Sequence, residues 1–546
     1  MKSESDRWLA KAKRSKVKQD LVEAKLFFEK YLALHPKDTR ANLDLAEIYM
    51  QLELFESASK VYAKLLEDDP KQPVVLSNLG AALLRLGQVD EAFDILSYCL
   101  ELDPRMIYAR INLGGVLQGK ERFKEALENA LEAVSIDPTH TLAFNNLGSA
   151  FTDLSMYSEA KHAFETAAML DPVSVDTLLN LAGCESKMGN HQSALVIYER
   201  VLGLLGPHQK ARAESVHFYK CFEHQVLGDL DRHWDGYEYG FSPLIPKTGA
   251  RAPNRRFSVP KWTGSEVPQK ALLIWREQGV GDEILFASVL PEIESLGIKV
   301  IFECDPRLVS VWQRSFPSFE VREYTFDANT MTSPYSDFDF HLPICSLGSL
   351  FRRTSESFEN FRPFIKPRLD LVEEYKEKLQ AIADGRPKVG VLWRSLKLTP
   401  NRAVGYTQPD DWDGILNRRD LCFINLQYNL QEFEVELIEA KFGKVLHVFD
   451  EINLKDDFER TVALVSNLDF VISPDTTMFE IAGSLGIRTL LMTVHPHGYF
   501  GRRDKFIFYP SVDLVTANTF NPNSALEALQ QTKVRLIDIF GADESR

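Results

Sequence analysis

Cysteine is scarce in this chain: six residues in 546, at Cys99, Cys184, Cys221, Cys304, Cys345 and Cys422, with no Cys-x-x-Cys pair among them. So few thiols with mostly apolar neighbours exclude a disulfide framework and read as reduced core residues of a cytosolic protein. The opening MKSESDRWLAKAKRSK lacks the apolar stretch of a secretory signal, and no uninterrupted apolar run is long enough to cross a bilayer. A cytoplasmic location without membrane insertion is the expectation. A basic excess is also missing: the net charge is -15, with both signs mixed along the chain. That balance argues against a nucleic-acid partner and for a solvated surface. The length suggests roughly three or four compact units of about 150 residues.

What is present begins with a period. Pro36, Pro70, Pro104, Pro138 and Pro172 recur every 34 residues, four of them after Asp. This is the tetratricopeptide spacing. In the same register stand Leu45, Leu79, Leu113, Leu147 and Leu181, and the small residues Ala24, Ala58, Ala92, Ala126, Ala160 and Ala194. Large residues follow four positions after most of the alanines, at Phe28, Tyr62, Leu96, Phe164 and Tyr198, as stacked helix pairs require. Six repeats and a degenerate, aromatic-rich terminal pair make a solenoid over residues 1–240, with the last pair expected to dock on the next domain. Asn78, Asn112, Asn146 and Asn180 share one repeat position. Their amides either line a groove for an extended acceptor peptide or bond within the array.

Residues 241–268 are proline-rich, with Phe257, Pro260 and Trp262 as packing anchors, and read as an ordered linker. From 269 onward short apolar runs alternate with amphipathic ones. This predicts two Rossmann-like halves, 269–366 and 367–546, facing each other across a cleft. The first half opens on a buried strand Ala271–Trp275, the turn Gly279–Gly281, a carboxylate at Asp282 and one helical run from Glu283 to Glu294. Asp337–Ile344 is expected as a later strand. Its Asp337-Phe-Asp339 has a metal-motif form, read as coincidental because it lies inside a strand whose alternation would splay its neighbours and no other ligand cluster is near. No metal site is expected.

Two turns carry the candidate chemistry. Asp282 sits where ligands meet the carboxyl ends of parallel strands, and is read either as a reactive acid or as a helix cap. In the second half, Ser473-Pro-Asp475-Thr476-Thr477 joins a strand to a helix N-terminus suited to phosphate oxygens. Glu480 either accepts ribose hydroxyls or closes a capping box with Thr477. Arg394, Lys397 and Arg402 surround the loop after the first strand of this half, as cations for a diphosphate or as a solvated basic loop. His495 and His497 are placed on the cleft rim.

The segments RRFSVPKWTG, WREQGVGDEILFASVLPEI, FINLQYN and DFERTVALVSNLDFVISPDTTMFEIAGSLG together resemble bacterial tetratricopeptide-repeat glycosyltransferases whose catalytic part is similar to the heptosyltransferase family. The layout also resembles that of protein O-linked N-acetylglucosamine transferases. The resemblance implies an α plus α/β chain: a TPR α-solenoid followed by a GT-B glycosyltransferase fold of two Rossmann-like domains, the second binding a nucleotide-sugar. It implies Asp282 as catalytic base. It assigns Gln278, Gly279, Gly281, Arg394, Lys397, Asp475, Thr476, Thr477 and Glu480 to the donor. Glu480 stands where many relatives carry His, and is similar to the ribose-binding acid of the N-acetylglucosamine transferases. The expected activity is metal-independent, inverting transfer of a sugar from a nucleotide-sugar, with no other cofactor, to a hydroxyl of a protein held by the repeats. Some relatives of this layout act on flagellin, which is therefore one candidate acceptor. The rival expectation is a non-catalytic scaffold with a pseudo-glycosyltransferase region.

Overall fold

A computed structural model describes residues 4–242, 244, 251–264, 271–396, 404–494, 499–502, 504–517 and 523–542. Backbone packing divides the chain into two compact units, Met1–Glu185 and Ser186–Arg546.

The first unit is built from antiparallel helix pairs: Glu4–Val17 with Leu21–Leu34, Thr39–Gln51 with Phe55–Asp68, Pro73–Arg85 with Val89–Leu102, Ile107–Gly119 with Phe123–Ile136, and Thr141–Asp153 with Tyr157–Leu170. The prolines explain where the second helix of a pair stops. A residue before proline is pushed out of the helical region, and Asp69, Asp103, Asp137 and Asp171 all cap their helices in extended backbone. The periodic alanines Ala24, Ala58, Ala92, Ala126 and Ala160 are at most 1% exposed. A second small position, Ala46, Gly80, Gly114, Gly148 and Ala182, escaped the sequence reading. It lies opposite the large residue of the partner helix: a Cβ on Gly148 would come within 2.5 Å of Phe164, and one on Gly80 would collide with Leu96. In the fourth repeat the large residue is Ala130, and the Asn129 and Asn146 amides fill the space beside Gly114 instead.

The second unit starts within the helix Val175–Lys187 and continues through His191–Leu204, Lys210–Leu227 and Leu230–Tyr237. The aromatic-rich pair docks as expected. Trp234 is fully buried, donates its indole N–H to the Arg352 carbonyl at 2.7 Å, and packs where only a glycine, Gly348, leaves room. Two parallel sheets come next. The first has the order β3-β2-β1-β4, with β1 Ala271–Trp275, β2 Lys299–Cys304, β3 Glu320–Glu323 and β4 Phe340–Pro343. The second has the order β10-β9-β8-β5-β6-β7, with β5 Lys388–Val391, β6 Cys422–Asn425, β7 Leu446–His447, β8 Phe470–Pro474, β9 Thr489–Thr493 and β10 Val512–Thr516. Every residue of β1, β8 and β9 is buried, as cover on both faces of a sheet demands.

Two expectations are corrected. The run after Asp282 is two helices, Val280–Ala287 and Leu290–Ser295, the second carrying Pro291 in its first turn, where its missing N–H costs nothing. The strand expected from Asp337 begins at Phe340. Asp337 instead pairs with Arg322 at 2.8 Å, and Asp339 accepts the Ala271 N–H at 2.9 Å. The C-terminal strand β10 and helix Ser524–Phe540 were not anticipated.

The linker is ordered where it is described, and it carries buried charge as well as anchors. Trp262 is 1% exposed, and the Arg251 and Arg255 side chains are entirely buried against Glu277 and Glu303. Among the described residues no helix is long and apolar enough to cross a membrane.

Candidate functional site

Where β1 ends, the chain turns through Gln278, which takes a left-handed backbone (φ 57°) and donates its N–H to the Ala252 carbonyl at 2.7 Å. A non-glycine residue held there stores strain that surrounding contacts must offset. The offset is visible. The Glu277 carboxylate accepts the Cys345 N–H at 3.1 Å and a bidentate pair from Arg251, whose Nε donates at 2.8 Å. Arg251 also reaches Glu238 and the Ser346 hydroxyl, and its guanidinium lies over Tyr237 and Phe241.

Gly279, rather than Asp282, is the helix N-cap; Asp282 lies three residues on and accepts the Gly279 N–H at 3.1 Å. Asp282 thus serves the turn from the third helical position, not as the N-cap. One carboxylate oxygen braces the turn, while the side chain keeps solvent access on one side. Enclosure on the other sides raises its pKa, as do the Glu277 and Asp475 carboxylates. Such a shift moves a carboxylate towards the basicity a proton acceptor needs at neutral pH.

The second turn leaves β8. Thr476 is the N-cap of the helix Thr477–Ser484; its hydroxyl accepts the Met478 N–H at 3.4 Å and lies 3.2 Å from the Ser473 hydroxyl. Thr476 is 8% exposed, so its side chain serves the helix, and the expectation that it offers a hydroxyl to phosphate is corrected. Asp475 is exposed and Thr477 half-buried. No capping box joins Thr477 to Glu480. Glu480 is buried beside Tyr509, close enough for each to perturb the other but outside hydrogen-bond geometry, and its Oε2 has no hydrogen-bond partner. Burial raises its pKa well above the usual range, with the Asp475 and Asp282 carboxylates adding to the effect. Gly483, one turn further, is the glycine that lets Tyr509 approach this helix.

The two turns meet. A Cβ on Gly281 would stand 3.6 Å from the Thr477 Oγ1 and 3.7 Å from the Glu480 Cγ. The halves are in contact at this point, with Asp282 and Asp475 both exposed. Elsewhere the halves are tied by Arg314, bidentate to Glu459 at 3.0 and 2.8 Å, and by Arg307 with Asp456 at 3.1 Å.

Arg394 is corrected outright. Its Nε and Nη2 are spent on Glu434 at 3.0 and 2.5 Å, Nη2 also reaches the Asn429 carbonyl, and the residue is 7% exposed. A guanidinium neutralised in this way is a brace for the loop after β5, not a counter-charge for a ligand. Lys397, Arg402, His495 and His497 lie outside the described residues. The residues that sequence reasoning missed, Arg251, Glu277 and Tyr509, gave little local signal, because their partners lie tens of residues away or further.

In the repeats, the asparagine amides make a regular pattern of their own. Asn112 donates to the Ser77 carbonyl (3.4 Å), Asn146 to the Ile111 carbonyl (2.8 Å) and Asn180 to Asn145 Oδ1 (3.0 Å), each reaching 35 residues back into the preceding repeat. Asn78 interacts with the Tyr62 hydroxyl. These donors bond within the array, the second of the two sequence readings.

Comparison with known proteins agrees with the repeat architecture. Tetratricopeptide repeat models match residues 18–81 and 142–174. Protein FlbA of Caulobacter vibrioides is 31% identical over 300 residues, 53% of this chain and 49% of that protein. The chain thus spans about half the length of the curated relative it matches. Among solved structures, a thermophilic TPR protein of Thermus thermophilus is 18% identical, covering 33% of this chain and 98% of its own at a TM-score of 0.30. A tetratricopeptide repeat protein of Parabacteroides merdae is 15% identical, covering 43% and 91% at 0.36. The N-terminal region is a tetratricopeptide-repeat solenoid, followed by a mixed α/β region with parallel sheets.

Proposed function

We propose that the chain is a glycosyltransferase of the GT-B type that moves a sugar from a nucleotide-sugar to a hydroxyl of a protein held by the repeats. The observation that carries this reading is the meeting of the Gly281–Asp282 turn with the Asp475–Thr477 turn at the carboxyl ends of strands from two parallel sheets. An accessible carboxylate of raised pKa and the amide end of an eight-residue helix are thereby brought together. The Asp282 carboxylate takes the proton of the acceptor hydroxyl as its oxygen bonds to the anomeric carbon. The bond from that carbon to the phosphate oxygen breaks, inverting the centre and releasing the nucleoside diphosphate. Amides of the helix end and the Thr477 hydroxyl hold the departing charge. Burial, with the Asp475 and Asp282 carboxylates, raises the Glu480 pKa and so disfavours a further negative charge beside it.

A non-catalytic scaffold is the second reading, favoured by the pairing of Arg394 with Glu434, which removes a cation from the donor side. Transfer assays with a panel of nucleotide-sugars and candidate acceptors, flagellin among them, separate the two. Asp282→Asn is expected to lower transfer about 10²–10⁴-fold while leaving donor binding nearly unchanged. Full transfer by Asp282→Asn removes its role as base, and failure of every donor to bind removes the transferase.

A further inference from the structure

The first sheet has a second face. Leu272 and Ile274 point into the core with Ile284 and Phe286, so alternation along β1 turns Leu273 and Trp275 the other way, towards Phe241 and Phe257 of the linker. On that opposite face a cavity of about 510 Å³ opens beside the end of the degenerate helix pair, walled by Tyr239, Phe241, Trp275 and His341. Its volume falls within the roughly 300–1,000 Å³ typical of small-ligand sites.

Charge decides what it can take. Among the described residues five ionic side chains line it, and each already has a partner. Glu238 holds Arg251 and Lys261, Asp235 holds Arg353 at 2.8 Å, Glu214 takes the Ser242 hydroxyl and pairs with Lys210 at 3.7 Å, and Arg255 is spent on Glu303 at 2.7 Å. Among the described residues a phosphate would meet no unclaimed cation, and an ammonium or guanidinium no unclaimed carboxylate. What remains is spare hydrogen-bonding capacity of both kinds. Ionised carboxylates accept several bonds each, and Lys261 has three donors. The Trp275 indole N–H donates to His341 Nδ1 at 3.3 Å, which leaves the proton of the neutral ring on Nε2. Burial, with Lys261 and Arg255 nearby, lowers the His341 pKa to about 4 and keeps that ring neutral. Tyr239, stacked on His217 at 5.0 Å and 38% exposed, presents an aromatic face at the mouth.

We infer that this cavity is a binding site for an uncharged pyranose, its ring C–H face on the aromatic wall and its hydroxyls bridging Glu238, Lys261 and His341. The inference is independent of the transferase reading, because the pocket lies on the opposite face of the sheet from the Asp282 helix. One stacking face and a few hydrogen bonds give a Kd of about 1–10 mM.

Saturation-transfer NMR on the full chain with glucose and N-acetylglucosamine tests it, using Tyr239→Ala and Lys261→Ala, both at exposed side chains. The expected result is transfer to ring protons of at least one sugar, reduced about threefold or more in both variants. Absence of transfer from the unaltered chain, undiminished transfer in both variants, or a stronger response from ethylguanidinium would overturn the assignment.

Discussion

The repeats and the α/β region solve the same problem, close packing around buried polar groups, in opposite ways. In the repeats one device is used again and again: a small residue opposite a large one, and an asparagine amide reaching 35 residues back. In the α/β region the devices follow no period, and each pairing is built from its own residues. Arg251 meets Glu277, Tyr509 meets Gly483, and Gly281 meets Thr477. Repetition spreads stability over many equivalent contacts, so no single one decides it. A constellation used once concentrates both stability and chemistry in a few side chains, whose loss the rest of the chain does not replace.

The largest effect should come from the buried pair. Glu277→Ala leaves the Arg251 guanidinium buried with only Glu238 and Ser346, and is expected to cost about 3–5 kcal/mol in urea denaturation. Its counterpart in the repeats, Lys120→Ala, removes a partner of the exposed Asp90 and should cost at most about 1 kcal/mol. Equal losses would erase the contrast.

Glycine replacements sharpen it at the next scale. Gly483→Ala drives a methyl into the Tyr509 ring, buried on all sides, and should destabilise by about 1–3 kcal/mol. Gly80→Ala meets only the branched end of Leu96, which can shift, and belongs at the lower end of that range, measured in the same way. Smaller again, Asn112→Ala and Asn146→Ala should each lower repeat stability by about 0.5–1.5 kcal/mol. If acceptor affinity falls in these variants while stability holds, the amides serve a peptide after all.

The last expected effect is a slope with pH, not a single loss. Because the folded-state pKa of Glu480 is raised, its favourable contribution is complete below the unfolded value and is lost as pH rises towards the folded one. Glu480→Gln should remove that dependence, so the variant gains on the unaltered chain between acid and neutral pH. Parallel stability profiles would show that the Glu480 pKa is not raised by the fold.

This contrast also explains what could be read from sequence. A position occupied five times by the same residue type announces itself, which is why the repeat boundaries and the alanine layer were legible. The Ala46, Gly80, Gly114, Gly148, Ala182 position was missed because two residue types share it. Strands buried on both faces, such as Ala271–Trp275 and Phe470–Pro474, stood out as apolar runs. The helix Ser524–Phe540 has an amphipathic pattern that could have been found. Both turns of the site were visible as motifs, yet the fates of Arg394 and Thr476 were not. A basic residue after a strand reads alike whether it faces solvent or a Glu434 forty residues away. Arg251, in a proline-rich stretch, likewise gave no sign of burial.

The central claim is that the Asp282 and Asp475–Thr477 turns form one donor site. Calorimetric titration of the full chain with a panel of nucleotide-sugars, repeated on Thr477→Val, tests it most directly. The predicted result is saturable binding of at least one donor, weakened at least about tenfold in the variant by loss of a hydroxyl at the phosphate. Binding that is unchanged in Thr477→Val, or no binding by any member of the panel, would contradict it.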